Sequence, residues 1–166
     1  ILLEMDRNPP HIVNGRVKVH PKMREIMKRF GEDGWISMSA PYEHGGQQVP
    51  FTILQMAGFI MAAANYSPMA YAFLTNGAAH LIETFGSKEL FDTYVTKMFN
   101  GEWQGTMALS EPQAGSSLSD VVTSATPTDK GYYLIKGQKV FISCGDHDGV
   151  DNIVHLMLAR IDGAPA

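Results

Sequence analysis

Residues 107–116, Met107-Ala108-Leu109-Ser110-Glu111-Pro112-Gln113-Ala114-Gly115-Ser116, read as a strand that runs into a loop holding one proline, one glycine and two serines. Such a loop offers main-chain N–H donors. Gly115 lets a ligand approach the backbone closely, and the hydroxyls of Ser110 and Ser116 can donate or accept. Taken alone, these residues also suit a plain strand-to-loop turn. A second segment, residues 137–148, pairs an expected strand with a glycine-bearing turn. Alternation there places Lys139, Phe141 and Ser143 on one face, an aromatic ring beside a hydroxyl, which suits a flat ligand. A core aromatic with a strand-end serine is the competing reading. Asp146, His147 and Asp148 are adjacent, so their side chains diverge and make a poor metal site. Cys144 lacks a cationic neighbour other than His147 and is not expected to be a reactive thiol.

The elements that must position these residues change in kind along the chain. Residues 1–20 hold Pro9-Pro10 and no clear period, and are expected to be irregular. Met23, Ile26, Met27 and Phe30 then recur at helical spacing after Pro21, with Gly31 as the stop. Residues 31–50 are glycine- and proline-rich and read as a loop with Trp35 and Ile36 turned inward. Helices are expected over 51–65 and from Pro68 to Phe85, with Gly86 as a left-handed cap. A further helix is expected to begin at Ser87, bury Leu90, Phe91, Tyr94, Val95 and Met98, and end at Asn100-Gly101. Short apolar or alternating runs at 103–109, 132–135, 139–143 and 153–160 follow, separated by turn formers. Helices therefore precede strands. The fold class is α+β, an all-helical domain over 1–102 followed by part of an antiparallel β domain over 103–166.

Composition narrows the classes of function. The 166 residues are 45% hydrophobic and 18% charged, an ordinary globular balance. The net charge of -4 gives no broad basic surface for nucleic acid. One cysteine excludes an intrachain disulfide, and no apolar run is long enough to span a bilayer. A reducing cytoplasmic compartment is the simplest expectation. The ten methionines suit adaptable core packing. The chain opens at Ile1 and closes with Gly163-Ala164-Pro165-Ala166, and is expected to be a fragment of a longer polypeptide.

Ala108-Leu109-Ser110-Glu111-Pro112 followed by Ala114-Gly115-Ser116 closely resembles the signature of the acyl-CoA dehydrogenases, and Lys139-Val140-Phe141-Ile142-Ser143 resembles their second flavin-contacting strand. Gly34-Trp35, Pro41-Tyr42-Glu43-His44-Gly45-Gly46, Phe85-Gly86-Ser87, Gly101-Glu102-Trp103 and Tyr133-Leu134-Ile135-Lys136-Gly137 fall in the same family's order. Gly145-Asp146-His147-Asp148 and Asn152-Ile153-Val154-His155-Leu156 resemble the branch that includes 3-methylmercaptopropionyl-CoA dehydrogenases.

The resemblance implies the acyl-CoA dehydrogenase fold, with the β domain an incomplete β-barrel and the C-terminal helical domain absent. It implies FAD as cofactor, an acyl-CoA thioester as substrate, electron-transfer flavoprotein as acceptor, and a homo-oligomer. In the family a glutamate takes the α-proton while the β-hydrogen leaves as hydride to flavin N5, giving a trans-2-enoyl-CoA. Carried onto this chain, Met107, Leu109, Ser110, Gly115 and Ser116 would line the pyrimidine side of the flavin, with Ser116 also near the substrate. Phe141, Ile142 and Ser143 would flank the ring. Ser117 stands where the family usually has aspartate, so no cofactor role is carried onto it, although its hydroxyl could still cap the loop. Glu111 is expected to be a turn or salt-bridge residue, because the family's base lies in a later helical domain. No catalytic residue is therefore assigned to this chain, and it is expected to be inactive alone. An acyl-CoA oxidase or flavin monooxygenase on the same scaffold is an alternative, as is a non-catalytic flavoprotein-like interaction module.

Overall fold

The computed structural model of the protein describes residues 1–164. Pro165 and Ala166, the end of the expected β domain, lie outside the described residues. Two compact units are formed, one from Ile1–Thr106 with Cys144–Val154, the other from Met107–Ser143 with His155–Ala166.

The first unit opens with helix α1 (Leu2–Arg7) and an antiparallel hairpin of β1 (His11–Val13) and β2 (Arg16–Lys18), where an irregular lead-in was expected. Asn14 and Gly15 both adopt positive φ, 51° and 75°, the backbone that a two-residue hairpin turn demands. The Asn-Gly dipeptide is the signal for it.

Helix α2 (Lys22–Glu32) buries Met23 and Met27 and does not stop at Gly31. That glycine serves a close approach instead. A Cβ on it would lie 2.0 Å from the main-chain oxygen of Asn100, so the helix can lie on that turn only without a side chain there. In the following loop Ile36 is buried, whereas Trp35 is 39% exposed, so only one of the two turns fully inward. A short 3-10 turn, Tyr42–His44, lies within this loop.

Helix α3 (Phe51–Phe85) is two helical arms joined at Asn65, whose φ of -164° and ψ of 104° break the ladder. The Asn65 side chain accepts from the Ser67 N–H, so it caps the second arm, and Pro68 sits in that arm's first turn, where its missing donor does least harm. Gly86 ends α3 with φ -80°, not in the left-handed region; its need for glycine is again contact, since a Cβ would meet the Ile82 oxygen at 2.5 Å. Ser87 accepts from the Leu90 N–H and starts α4 (Lys88–Leu90), which continues through a π-helical turn (Phe91–Val95) into α5 (Thr96–Phe99). Val95 and Met98 are fully buried, but Leu90 is exposed, because the wider turn at 91–95 rotates the stripe. Methionines 5, 23, 27, 38 and 98 fill the core of this unit.

Strand β3 (Trp103–Ala108) pairs with β6 (Asn152–Met157). Main-chain donation from Asp151 to Glu102 (3.0 Å) and from Leu158 to Ala108 (3.2 Å) advances along both strands together, so this pair is parallel. In the second unit β4 (Ser124–Pro127) lies between β5 (Tyr133–Lys136), antiparallel to it, and β7 (Arg160–Ile161), parallel to it. The described strands thus form small sheets of mixed direction, so the expected antiparallel domain also carries parallel pairs, and no closed barrel is formed among the described residues. The expected strand at 139–143 is also absent, because Phe141 takes φ 57° and ends the pleat.

Candidate flavin-facing loops in the second unit

β3 delivers the chain into the 107–116 loop, and a tight turn closes that loop on itself. Glu111 N–H donates to the Ala114 oxygen at 2.7 Å and Ala114 N–H returns the bond at 3.1 Å. Glu111 itself points inward, its side chain only 1% exposed. Oε1 accepts from Lys139 Nζ at 2.8 Å and from the Thr123 N–H at 3.0 Å. Oε2 accepts from the Val122 N–H at 2.8 Å and from Gln113 Nε2 at 2.7 Å. Burial acts to raise the Glu111 pKa, but the Lys139 ammonium and the donors of Val122 and Thr123 outweigh it and hold the carboxyl well below the usual carboxylate range. A proton acceptor in a reaction needs a free lone pair facing substrate. Glu111 spends its lone pairs on four donors and is a salt-bridge residue.

The 107–116 and 139–143 segments are brought together. Lys139 also donates to the Leu109 oxygen at 3.0 Å, and the Val140 N–H donates to the Ser110 oxygen at 3.0 Å. Around this seam Met107, Leu109, Ser110 and Ile142 are half-buried, while Gly115, Ser116 and Ser143 are exposed. Phe141 is 95% exposed on its left-handed turn, so it is not the core aromatic of the competing reading. Its alternation with Lys139 and Ser143 does not hold, since the Lys139 side chain turns inward, 8% exposed, while the other two residues are exposed. A Cβ built on Gly115 meets nothing within 4 Å, so the loop surface is open. An outward ring, open glycine backbone and flanking hydroxyls are a donor set that fits the edge and face of a flat heteroaromatic cofactor.

Ser117 precedes a 3-10 turn (Leu118–Asp120), but its hydroxyl makes no capping bond; the main-chain oxygen of Ser117 accepts from Asp120 instead. Asp120 is exposed. Arg160, which the sequence did not single out, donates from Nε to the Val121 oxygen at 2.6 Å and from its other end to the Ser119 oxygen. Its only sequence signal is a lone cation at the end of an apolar run.

In the first unit the 144–151 turn holds a separate buried polar cluster. His147 Nδ1 accepts from the Gly149 N–H at 3.1 Å, Nε2 faces Gln104 Oε1, and the ring meets Tyr71 edge-on at 4.7 Å. Asp148 turns the other way, to the Val19 N–H at 2.9 Å and Lys18 Nζ at 3.0 Å. His147 and Asp148 thus point to different partners. Burial pushes the Cys144 thiol pKa up, against smaller opposing contacts from Tyr71 and Gln104, which favours the protonated thiol. Among the described residues no helix is long and apolar enough to cross a membrane.

Residues 9–102 match the acyl-CoA dehydrogenase N-terminal domain family. The chain is 42% identical over 160 residues to a 3-methylmercaptopropionyl-CoA dehydrogenase of Ruegeria pomeroyi, covering 96% of this chain and 27% of that protein. A glutaryl-CoA dehydrogenase from Mycobacterium smegmatis superposes with a TM-score of 0.74 at 26% identity, over 84% of this chain and 35% of that one. An acyl-CoA dehydrogenase complexed with FAD from Bacillus anthracis superposes with a TM-score of 0.72 at 26% identity, over 86% of this chain and 24% of that one. The chain therefore spans about a quarter to a third of the length of these proteins. With more than half of its residues inside the matched domain, the chain belongs to the acyl-CoA dehydrogenase family.

Proposed function

We infer that this chain forms the flavin-facing part of a FAD-dependent acyl-CoA dehydrogenase, which converts an acyl-CoA thioester to its trans-2-enoyl-CoA and passes the electrons to electron-transfer flavoprotein. FAD, when bound, supplies the two-electron acceptor. The following roles for the chain's own residues belong to the proposal. Phe141 offers a ring face for stacking, Ser110 and the 107–116 backbone offer donors where negative charge gathers, and Ser143 offers a hydroxyl at the other edge. Ser116 and Gly115, both exposed, leave room for the thioester end of the substrate. The helical residues 1–102 would form the N-terminal domain and residues 103–166 the first part of the middle β domain. A cytoplasmic homo-oligomer completes the proposal.

The observation that carries this reading is the seam itself: the two segments that resemble flavin contacts lie side by side, joined by Lys139 to Glu111 and Val140 to Ser110, with Phe141 bare beside them. The test uses the full-length protein. It should purify yellow, with its flavin bleached anaerobically by members of an acyl-CoA panel. Reoxidation by electron-transfer flavoprotein but only slowly by oxygen supports the dehydrogenase, and rapid turnover with oxygen makes it an oxidase. A colourless protein that binds no acyl-CoA overturns both and leaves an interaction module.

A further inference from the structure

The flavin-facing reading leaves one buried group without a task. Lys139 and Glu111 form an ion pair with side chains 8% and 1% exposed. Desolvating two charges is costly, and an apolar pair of similar volume often stabilises a fold as well or better. Its placement suggests what the charge is for. Lys139 neutralises the only carboxylate of the 107–116 loop and engages the Leu109 oxygen, while Val140 engages the Ser110 oxygen. The Leu109 and Ser110 carbonyls and Oε1 of Glu111 are thereby turned toward residues 139–140, while Oε2 of Glu111 meets Val122 and Gln113.

We propose that Lys139 and Glu111 are positioning residues that set how readily the cofactor is reduced: the ammonium cancels the Glu111 charge and holds the Leu109 and Ser110 carbonyls away from the flavin face, so that the loop presents donors to it. This rests on the flavin-facing reading above. Physically, an unpaired carboxylate near a ring that gains electrons would oppose reduction, and an unpaired ammonium would favour it, while a close neutral pair would do neither strongly. The two charges therefore act with opposite sign. A pair that merely holds the fold has no such signature.

The test measures flavin midpoint potential and anaerobic reduction rate in the full-length holoprotein of K139M, E111Q and the double variant. Expected are a lowered potential and a reduction rate slowed by about tenfold or more in K139M, a raised potential in E111Q, and an intermediate value when both are changed. In the cofactor-free protein, amide exchange over residues 109–114 should quicken in K139M and recover in Lys139→Arg. Shifts of the same sign in both single variants, or no shift with FAD still bound, overturn the proposal. If K139M does not fold, E111Q alone decides it, because an unchanged potential there is sufficient refutation. A wild-type protein without FAD overturns the cofactor reading, and this one with it.

Discussion

The main-chain N–H of Gly149 donates to Nδ1 of His147 at 3.1 Å, a bond that only an imidazole unprotonated at that nitrogen can accept. The proton of the neutral ring therefore sits on Nε2, facing Gln104 Oε1. Burial lowers the His147 pKa; Asp146 and Asp148 pull it up less, and Arg24 adds to the lowering.

Because that pKa is depressed in the fold, the unfolded chain binds the proton more readily. The contribution of neutral His147 is complete above the unfolded value of about 6.5 and is lost as pH falls through the folded value. The thermal midpoint should therefore drop on going from about pH 7 to about pH 5, and His147→Asn, which keeps an acceptor for Gly149, should flatten that slope. Equal slopes in both proteins would exclude His147 as the titrating group.

Two glycines in helices should respond with opposite sign to alanine. Helix propensity favours alanine by at most about 1 kcal/mol. At Gly77 the added methyl meets open space, so G77A should be stabilising by up to that amount. At Gly31 it meets the Asn100 carbonyl at 2.0 Å, and displaced backbone should leave G31A roughly 2 kcal/mol less stable. Denaturant midpoints of the two variants measure this directly.

Phe141 combines a positive φ of 57° with 95% exposure, so its conformation is strained and little burial offsets it. Phe141→Gly should raise the stability of the cofactor-free protein by up to about 1 kcal/mol while weakening FAD retention by about tenfold. Thermal melts and a FAD fluorescence titration give the two numbers. A variant that loses stability and keeps FAD would remove the ring from the cofactor face.

Ser143 is exposed, so Ser143→Ala should leave stability within about 0.5 kcal/mol of the parent. In the full-length holoprotein it should alter the flavin absorption spectrum or the reductive rate. Identical values for both would cancel the role assigned to its hydroxyl.

Local rules were legible wherever one short stretch carries its own cause. Ser87 caps its helix, Met23 and Met27 share a buried face, and the break between the two arms of α3 falls at the Asn65 to Pro68 stretch. The Asn14-Gly15 hairpin was missed, since the neighbouring prolines made residues 1–20 look irregular. Misplaced were features that depend on a partner distant in sequence. Gly31 and Gly86 look like helix stops, but Gly31 is there because a second segment comes within contact distance, and Gly86 leaves the left-handed region unused. Strand β4 was overlooked because Ser124, Thr126 and Pro127 carry little apolar signal, and its place between β5 and β7 comes from pairing.

The same division runs through the candidate site. Sequence alone determined the order of serine, proline, glycine and aromatic residues in 107–116 and 139–143, and with it the resemblance on which the proposed flavin contacts rest. The same resemblance is what set Glu111 aside as a base. Only the tertiary structure decided that Lys139 turns in while Phe141 turns out, and that Glu111 is closed off by four donors, three of them from residues 122, 123 and 139. Alternation assigns faces only while the backbone stays extended, and at Phe141 a single left-handed residue ends it. A buried carboxylate requires its cation wherever the fold can bring one, and that choice is made in space, across 28 residues of chain.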